Sequence, residues 1–461
     1  MKKVKFILLE LKFLYFGIII VKVKKIEFMN KKKNIIEKPC QKVELLMPAG
    51  DMKKLKYALE YGADAVYIGW KKFSLRARAN NFELDEIEQA VFYTHSLGKK
   101  IYVTVNSFIR DYEKESLENY LKFLYEINVD AIIVSDPGII YLAKKEVPNL
   151  CIHLSTQANT TNNLSVKFWK EFGIVRIVLA RELSIDEISS IVKNNFDMEF
   201  EIFVHGAMCI SYSGRCFLSK YMIDRDANRG DCAHPCRWEY TLLEEKKRPN
   251  QFMKYEEDEK GSYIFNSSDM CQILRIKELL ESGVHSFKIE GRMKSLYYII
   301  CTTNIYRKAI DIYYENPQRY EAEKLNFLAE IFKLNNRGYT EGFYFGAPTE
   351  KYYNYNENCG KITHYFLAEI LEVIEKNKIK VLVKNSFSIN DKVEILTPNN
   401  KNSNNIAIVK NIYSLKDNEF IEKSFCDLEA IIELENINND NIKNEFDINE
   451  FSIIRAISSK N

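Results

Sequence analysis

The organised part of this chain begins with VELLMPAGDMKKLKYALEYGADAVYIG, residues 43–69. The two ends of this stretch, VELLM and AVYIG, are short apolar runs of the kind that forms buried strands. Between them, MKKLKYALEYG has the apolar period of a helix and ends at a glycine, as many helices do. The stretch therefore predicts one parallel βαβ unit, because parallel strands need a crossover connection of this kind.

Apolar or β-branched runs like these two recur along the chain, and segments of helical period lie between them. There are eight: VELLM (43–47), AVYIG (65–69), IYVTV (101–105), AIIVS (131–135), CIHLS (151–155), RIVLA (176–180), EIFVH (201–205) and SFKIE (286–290). Eight alternating strands and helices predict an α/β protein with a closed (β/α)8 barrel of the TIM type. An open doubly wound sheet is the alternative, although no Gly-x-Gly-x-x-Gly motif follows any strand.

The regular spacing of the strands breaks once and then ends, which divides the chain into parts. The predicted barrel covers residues 43–315, with a cysteine-rich insertion of about residues 206–285 after strand seven. Residues 316–363 are predicted to be a helix and an extended linker. Over residues 364–461, apolar runs alternate with Asn, Asp and Gly, which predicts a small C-terminal β-barrel domain.

The first 42 residues differ from the rest in charge. Eleven lysines stand against three glutamates in the first 39 residues, whereas the whole chain has a net charge of +2, so the remainder is acidic. Any nucleic-acid surface must therefore be a local patch. The charge-free apolar run 13–21 is too short to span a bilayer, and no cleavage site follows it. We expect a basic leader, disordered or not translated if translation begins at Met29, and a cytoplasmic protein that does not bind membranes.

Half of the ten cysteines fall within the predicted insertion: Cys209, Cys216, Cys232, Cys236 and Cys271. Without a secretory signal, such clustering favours metal binding over disulfides. The first four are spaced Cys-x6-Cys, fifteen residues, then Cys-x3-Cys, which suits an iron–sulfur cluster whose irons each take one thiolate. Structural zinc and buried inert cysteines are the alternatives. Because the insertion follows strand seven, we expect it at the C-terminal face, where barrel enzymes place their chemistry.

Polar residues at or beyond the predicted strand ends are candidates for the substrate site. They are Asn106, Gln157, Arg181, Glu182, His205, Glu290 and Arg292. Arg181 and Arg292 suit a dicarboxylate, because guanidinium groups pair bidentately with carboxylates. We assign His205, Glu290 and Arg292 as catalytic candidates and the other four as substrate-binding candidates. A structural ion pair is the alternative role for each charged residue in this set.

Two segments of the insertion, HGAMCISYSGRCFLS and NRGDCAHPCRW, resemble peptidase family U32, historically called collagenase-like. The resemblance continues through LLMPAGD, GADAVYIG, NSSD, FKIEGRMKS and RGYTEGFYFG, over about residues 43–350. The two-domain layout is similar to the members responsible for prephenate-dependent hydroxylation of the tRNA wobble uridine to 5-hydroxyuridine. The resemblance therefore implies tRNA as a partner, prephenate as a co-substrate and a second U32-family subunit as a candidate partner.

The same resemblance implies a 4Fe-4S cluster and its ligands. Matched residue by residue, the family pattern places these ligands on Cys209, Cys216, Cys232 and Cys236. Some relatives take the fourth ligand from further along the chain, so Cys271 is the reserve ligand.

Two other segments are candidates for RNA contact. Arg76, Arg78 and Asn80 follow the second strand and could bind phosphate, although a solvated loop would have the same composition. The aromatic residues of YFGAPTEKYYNYNEN, residues 344–358, could stack on bases or pack as a linker.

The family name makes a peptidase the first alternative function. A peptidase needs an activated nucleophile or a metal-bound water, and the sequence contains neither Gly-x-Ser-x-Gly nor His-Glu-x-x-His. A Cys–His pair with His205 or His234 is conceivable, but the thiols are better explained as ligands. A non-catalytic RNA-binding subunit is the second alternative. We expect an iron–sulfur protein that supports tRNA hydroxylation.

Overall fold

The predicted strands close into a parallel barrel in the computed structural model. The first seven are β1 (Glu44–Pro48), β2 (Ala65–Gly69), β3 (Lys100–Val105), β4 (Ala131–Val134), β5 (Ile152–Leu154), β6 (Arg176–Val178) and β7 (Glu199–Ala207). Each of them pairs in parallel with the next, and the closing strand Ser286–Ile289 pairs with both β7 and β1. This closure confirms the (β/α)8 prediction and excludes the open sheet.

The structure describes residues 42–76, 80–209, 211–237, 257–258, 261–262, 268–346, 364–398, 405–436 and 448–457. Three predictions therefore fall wholly or mostly outside the described residues: the basic leader, the phosphate contact of Arg78 and the aromatic segment from residue 347 onward.

Helices connect consecutive strands, and several begin at a polar cap. Asp51 accepts a hydrogen bond from the backbone N–H of Lys54, and Ser184 forms a reciprocal capping box with Glu187. The helices are Met52–Glu60, Leu84–Ser96, Lys114–Glu126, Pro137–Glu146, Asn163–Glu171, Ile185–Asn194, Leu218–Ile223, Ile276–Glu281, Leu296–Glu315 and Pro317–Phe332. None of the helices in the described ranges is both long and apolar enough to cross a bilayer.

Side chains fill the barrel below its mouth. Near the N-terminal strand ends, the buried Arg176 guanidinium lies 2.5 Å from a Glu44 oxygen and 3.5 Å from a Glu201 oxygen. Glu201 also accepts a hydrogen bond from Lys288 Nζ at 2.7 Å, and both of these side chains are buried. Each buried charge is thus compensated, as burial in a low dielectric requires. With this end filled, the barrel offers ligand space at the opposite end.

The cysteine-rich insertion contains more regular structure than the sequence predicted. Its strand Asp269–Cys271 pairs antiparallel with β7, and the strand Tyr339–Thr340 pairs with Asp269–Cys271 in turn. A short hairpin joins Glu257–Asp258 to Gly261–Ser262. Cys271 ends the first of these strands, Asp269–Cys271, and the next helix begins at Ile276.

The C-terminal part is an antiparallel barrel, as predicted. Its strands are Phe366–Glu375, Lys378–Val383, Lys392–Leu396, Ile406–Ser414, Glu419–Phe420, Glu429–Asn436 and Ile453–Ala456. Six of these strands close on themselves, because Lys392–Leu396 pairs with both Ile406–Ser414 and Ile453–Ala456, and the short Glu419–Phe420 lies at an edge. Sequence patterning missed the last strand, Ile453–Ala456.

Contacts fix this β domain to the (β/α)8 barrel. Arg455 is almost fully buried and donates to Glu394 of its own domain at 2.9 Å and to Glu330 of the helix Pro317–Phe332 at 2.7 Å. The Tyr61 hydroxyl lies 2.9 Å from the Leu396 carbonyl oxygen. The shared ion pair and the buried tyrosine hold the domain on the side of the barrel.

Candidate functional site

A cavity of about 320 Å³ opens at the C-terminal ends of the barrel strands. Its walls come from the segments that follow β2, β3, β5, β6, β7 and the closing strand, so the barrel brings distant parts of the sequence together. Among the described residues, nine of the predicted site residues line it: Asn106, Gln157, Arg181, Cys209, Cys216, Cys232, Cys236, Glu290 and Arg292. Its volume lies in the range of small-ligand pockets.

The four predicted cluster ligands all line this cavity. Cys209 is exposed just beyond β7, and Cys216, Cys232 and Cys236 are half-buried. Burial raises the pKa of the Cys232 thiol, and the nearby Cys209 and Cys216 add to that rise. The backbone N–H of His234 donates to the Cys232 sulfur at 3.4 Å, an interaction that also tunes iron–sulfur clusters. Barrel closure thus brings the four cysteines to one cavity, with Cys209 and Cys216 near Cys232.

This donor set suits a cluster better than a single ion. In the described parts of the chain, no three His, Cys, Asp or Glu side chains are arranged to hold one metal ion. An iron–sulfur cluster makes a different demand, because its thiolates bind separate iron atoms. Four soft thiol donors in the lining of one cavity therefore fit a cluster by their chemistry.

Cys271, the reserve ligand, lies elsewhere. Its thiol is buried, is not part of the cavity lining and lies 3.8 Å from the Tyr306 hydroxyl. Burial raises its pKa to about 12, which keeps the thiol protonated. Because its thiol lies outside the cavity that the other four cysteines line, the structure favours Cys236 over Cys271 as the fourth ligand.

An ion pair anchors the insertion to the loop after β3. The Arg229 guanidinium binds both carboxylate oxygens of Glu113, at 3.0 and 3.1 Å, and also donates to the Phe108 carbonyl oxygen at 2.9 Å. The Phe108 N–H donates in turn to the Asn228 carbonyl oxygen. A bidentate pair fixes orientation as well as distance, so the cysteine segment is held over the mouth.

Glu290 forms an ion pair at the rim of the closing strand. One carboxylate oxygen accepts from Arg76 Nη2 at 3.0 Å, and the other lies 3.4 Å from the Tyr67 hydroxyl. Burial would raise the pKa of Glu290, but Arg76, Arg181 and Arg292 outweigh it and hold the pKa below its usual value. Glu290 is therefore a carboxylate at neutral pH, able to accept a proton or a hydrogen bond.

Arg292 lines the cavity from a fixed position. Its Nη1 donates to the Thr104 hydroxyl at 2.8 Å, and its Nη2 contacts the Leu75 carbonyl oxygen. Burial lowers the pKa of Arg292 to about 10, so the group stays charged at neutral pH. Gly69 makes room for the guanidinium, because a Cβ at position 69 would lie 1.9 Å from Arg292 Nη1 and would force that group to move. The structure thus holds one positive charge at a defined point of the cavity.

Two buried side chains keep unused donors in the cavity. Arg181 donates to the Ala207 carbonyl oxygen at 3.0 Å and to the Ser213 hydroxyl at 2.7 Å, while its Nε has no partner among the described residues. Gln157 accepts from Asn106 at 3.0 Å, and its Nε2 likewise has no described partner. Buried donors without partners are costly, so these two are suited to an oxygen-rich ligand.

His205 lies outside the cavity, which is a correction to its expected place at a strand end. It lies inside β7, where a bulge shifts the register against the closing strand, and its ring packs among Tyr298, Tyr306 and Tyr339. Its Nδ1 is 3.3 Å from the Tyr306 hydroxyl. Burial lowers its pKa to about 3, so the ring is neutral. The position does not suit a base that acts in the cavity.

Other residues also differ from expectation. Glu182 is not in the cavity lining, and burial raises its pKa. Arg76, considered as a phosphate contact, is the partner of Glu290. Sequence reasoning missed Lys288 and Lys294, which both line the cavity. The sequence did contain a signal for Lys288, because this lysine lies in the middle of an otherwise apolar strand. A buried lysine needs a charged or polar partner inside the barrel.

The closed barrel, with a charged cavity at its mouth that four cysteines help to line, defines a TIM-type protein with a candidate ligand site at the C-terminal face. Residues 50–354 match peptidase family U32, and the chain belongs to that family. It is 40% identical to tRNA hydroxylation protein P of Escherichia coli, over 77% of this chain and 86% of that protein. It is 41% identical to tRNA hydroxylation protein P1 of Bacillus subtilis, over 81% and 87% respectively.

The chain also matches a relative that is named for ribosomal RNA instead of tRNA. The 23S rRNA 5-hydroxycytidine synthase of Escherichia coli is 39% identical, over 59% of this chain and 39% of that protein.

Proposed function

We propose that this chain is an RNA-modifying oxidoreductase that hydroxylates the wobble uridine of tRNA, giving 5-hydroxyuridine. The observation that carries the proposal is the shared cavity, which brings four cysteine thiols to the same space as Arg181, Arg292 and Glu290. Relatives named for tRNA hydroxylation, similar over most of the chain, support the choice of substrate. A relative named for hydroxycytidine formation supports the reaction type, because both products carry a new hydroxyl on a pyrimidine.

The proposed cofactor is a 4Fe-4S cluster held by Cys209, Cys216, Cys232 and Cys236. When bound, such a cluster supplies electron transfer or a Lewis-acidic iron. The surrounding residues have separate tasks. The Arg229–Glu113 pair keeps the cysteine segment over the mouth, and the cavity accepts a base that has left its stack.

The proposed co-substrate is prephenate, a dicarboxylate. The charged Arg181 and Arg292 and the unused donor of Gln157 would bind carboxylate oxygens, since charge-assisted hydrogen bonds are the stronger ones. Glu290, ionised beside Arg76, would orient the ligand or accept a proton from it.

A peptidase role finds less support at this site. The three serines of the cavity lining already have partners. Ser155 donates to the Gln157 side chain at 3.2 Å, Ser213 accepts from Arg181 at 2.7 Å, and the Ser211 hydroxyl lies 3.4 Å from the Tyr212 carbonyl oxygen. Of the two histidines considered as a base, His205 lies outside the cavity. His234 does line the cavity, but the cysteines beside it are the proposed cluster ligands, which commits their thiols to metal binding rather than to nucleophilic attack.

The test is nucleoside analysis of tRNA from a strain that lacks the gene and carries a plasmid copy. We expect 5-hydroxyuridine to be absent from the deletion strain, restored by the wild-type copy and not restored by Cys216→Ser. Cys271→Ser is the matched control, because that thiol lies outside the cavity, and it should restore the nucleoside. Blocking prephenate synthesis should abolish 5-hydroxyuridine, and added prephenate should return it. Unchanged tRNA with lost gelatin cleavage would support the peptidase instead.

A further inference from the structure

We propose that the rim of the barrel mouth is a stacking surface for unpaired RNA bases. The surface, here called the aromatic rim, consists of Tyr112, Tyr212, Phe217 and Tyr221. The inference rests on the proposed function, because it assigns what holds the RNA around the base that enters the cavity.

Three members of the aromatic rim belong to the cysteine insertion. Tyr212 lines the cavity, and Phe217 directly follows the cavity residue Cys216. The exposed fractions are 46% for Tyr212, 75% for Phe217 and 87% for Tyr221. The three lie within ten residues of one another, and Tyr212 reaches the cavity. Exposed aromatic side chains concentrated on one short segment are typical of a contact surface.

The fourth member comes from a different part of the chain. Tyr112 is 81% exposed, in the loop after β3. Its neighbour Glu113 holds Arg229 of the insertion through two hydrogen bonds. The ion pair therefore ties the two segments of the rim together before any ligand binds. Such preorganisation lowers the entropic cost of binding.

The charges at the mouth argue for RNA as the occupant. Among the described residues, the cavity lining holds one carboxylate, Glu290, against five cationic side chains: Arg76, Arg181, Lys288, Arg292 and Lys294. On the rim, Arg215 is exposed, and no carboxylate in the described ranges pairs with it. Cationic side chains attract phosphates, whereas flat aromatic faces accept bases of any sequence. A surface that offers both cationic side chains and aromatic faces can therefore bind the phosphates and the bases of single-stranded RNA.

The aromatic rim would also offset the stacking free energy that is lost when a base enters the cavity. A base that enters the cavity leaves its neighbours without one stacking partner. Aromatic side chains beside the opening replace the lost stacking, which favours an open loop over a duplex. The rim would therefore select a loop as the substrate, while the cavity selects the base.

The test measures binding of a fluorescent anticodon stem-loop RNA, with uridine at the wobble position, to the anaerobically purified full chain. We expect Phe217→Ala and Tyr221→Ala each to weaken binding by at least about five-fold. Phe217→Tyr and Tyr221→Phe keep an aromatic face and should bind like the wild type. Phe196→Ala is the matched control, because Phe196 is equally exposed but precedes β7, at the opposite end of the barrel.

The salt dependence of RNA binding distinguishes the stacking contribution from the electrostatic contribution. Arg215→Ala should lose part of the salt dependence of binding, whereas the losses from the two aromatic variants should persist at high salt. Aromatic variants that bind the stem-loop like the wild type at every salt concentration would overturn the rim proposal.

The two proposals can fail separately. If the wild type forms 5-hydroxyuridine and the alanine variants bind the loop normally, only the rim is wrong. If the alanine variants lose loop binding but the wild type forms no 5-hydroxyuridine, the rim stands and the proposed reaction is wrong.

Discussion

Arg76 donates a hydrogen bond to Glu290 at 3.0 Å from a backbone with a φ of +92°. Residues other than glycine rarely adopt this conformation, which costs roughly 1–3 kcal/mol and is found where function or packing requires it. The pair joins the loop after β2 to the end of the closing strand. It thereby connects two walls of the cavity.

The strength of this ion pair can be measured with a double-mutant cycle. We expect Arg76→Met, Glu290→Gln and the double variant, compared by urea unfolding, to give a coupling free energy of roughly 1–3 kcal/mol. The pair is shielded from solvent on most sides. The exposed pair Lys71–Glu83 is the control, and its coupling should stay below about 1 kcal/mol. Equal coupling at the two sites would show that the cavity does not strengthen the interaction.

The cavity also predicts which cysteines hold iron. We expect alanine in place of Cys209, Cys216, Cys232 or Cys236 to remove most of the iron and sulfide from anaerobically purified protein. Each of these thiols lines the mouth. Cys271→Ala should keep both elements, because its thiol is buried elsewhere and stays protonated. Iron loss in Cys271→Ala with retention in Cys236→Ala would reverse the assignment of the fourth ligand.

His205 predicts a direction for the dependence of stability on pH. Its pKa is about 3 in the folded protein, below the ordinary histidine value of about 6.5. Between these values the unfolded chain binds a proton that the folded protein does not. The resulting stability is complete above pH 6.5 and is lost as the pH falls towards 3, by at most about 1.4 kcal/mol per pH unit.

The comparison for this prediction is His205→Phe, which keeps an aromatic ring among the tyrosines and cannot titrate. Urea unfolding at several pH values should show a shallower slope for the variant. Some slope should remain, because burial also lowers the pKa of His153. An unchanged slope would mean that His205 can be protonated without unfolding.

Gly206 marks the tightest approach between β7 and the closing strand. A Cβ at this position would lie 2.5 Å from the Glu290 carbonyl oxygen, and the residue has a φ of +112°. We expect Gly206→Ala to lower the free energy of unfolding by about 1–3 kcal/mol more than Gly98→Ala does. Gly98 also has a positive φ but has no atom within 4 Å of the added carbon. Similar losses of unfolding free energy in the two variants would show that backbone strain, and not the close contact at position 206, sets the cost.

Local patterns were sufficient to predict the barrel. AVYIG, predicted at 65–69, is the strand Ala65–Gly69, and the helix predicted from MKKLKYALEYG is Met52–Glu60. Strands and helices have apolar periods that few neighbouring residues establish, so they can be recognised without tertiary contacts. The strand Ile453–Ala456 was not predicted, because four residues carry little periodic signal.

The sequence alone determined the class of barrel, the segment that carries the cysteines and the family resemblance, because all three depend on neighbouring residues. The tertiary structure decided the pairing of Arg76 with Glu290, which are 214 residues apart, since only barrel closure brings them together. It also decided the place of His205. Alternation would keep His205 on the same face as Phe203, but the bulge in β7 turns it away from the cavity. A bulge depends on the partner strand, and no local pattern records it.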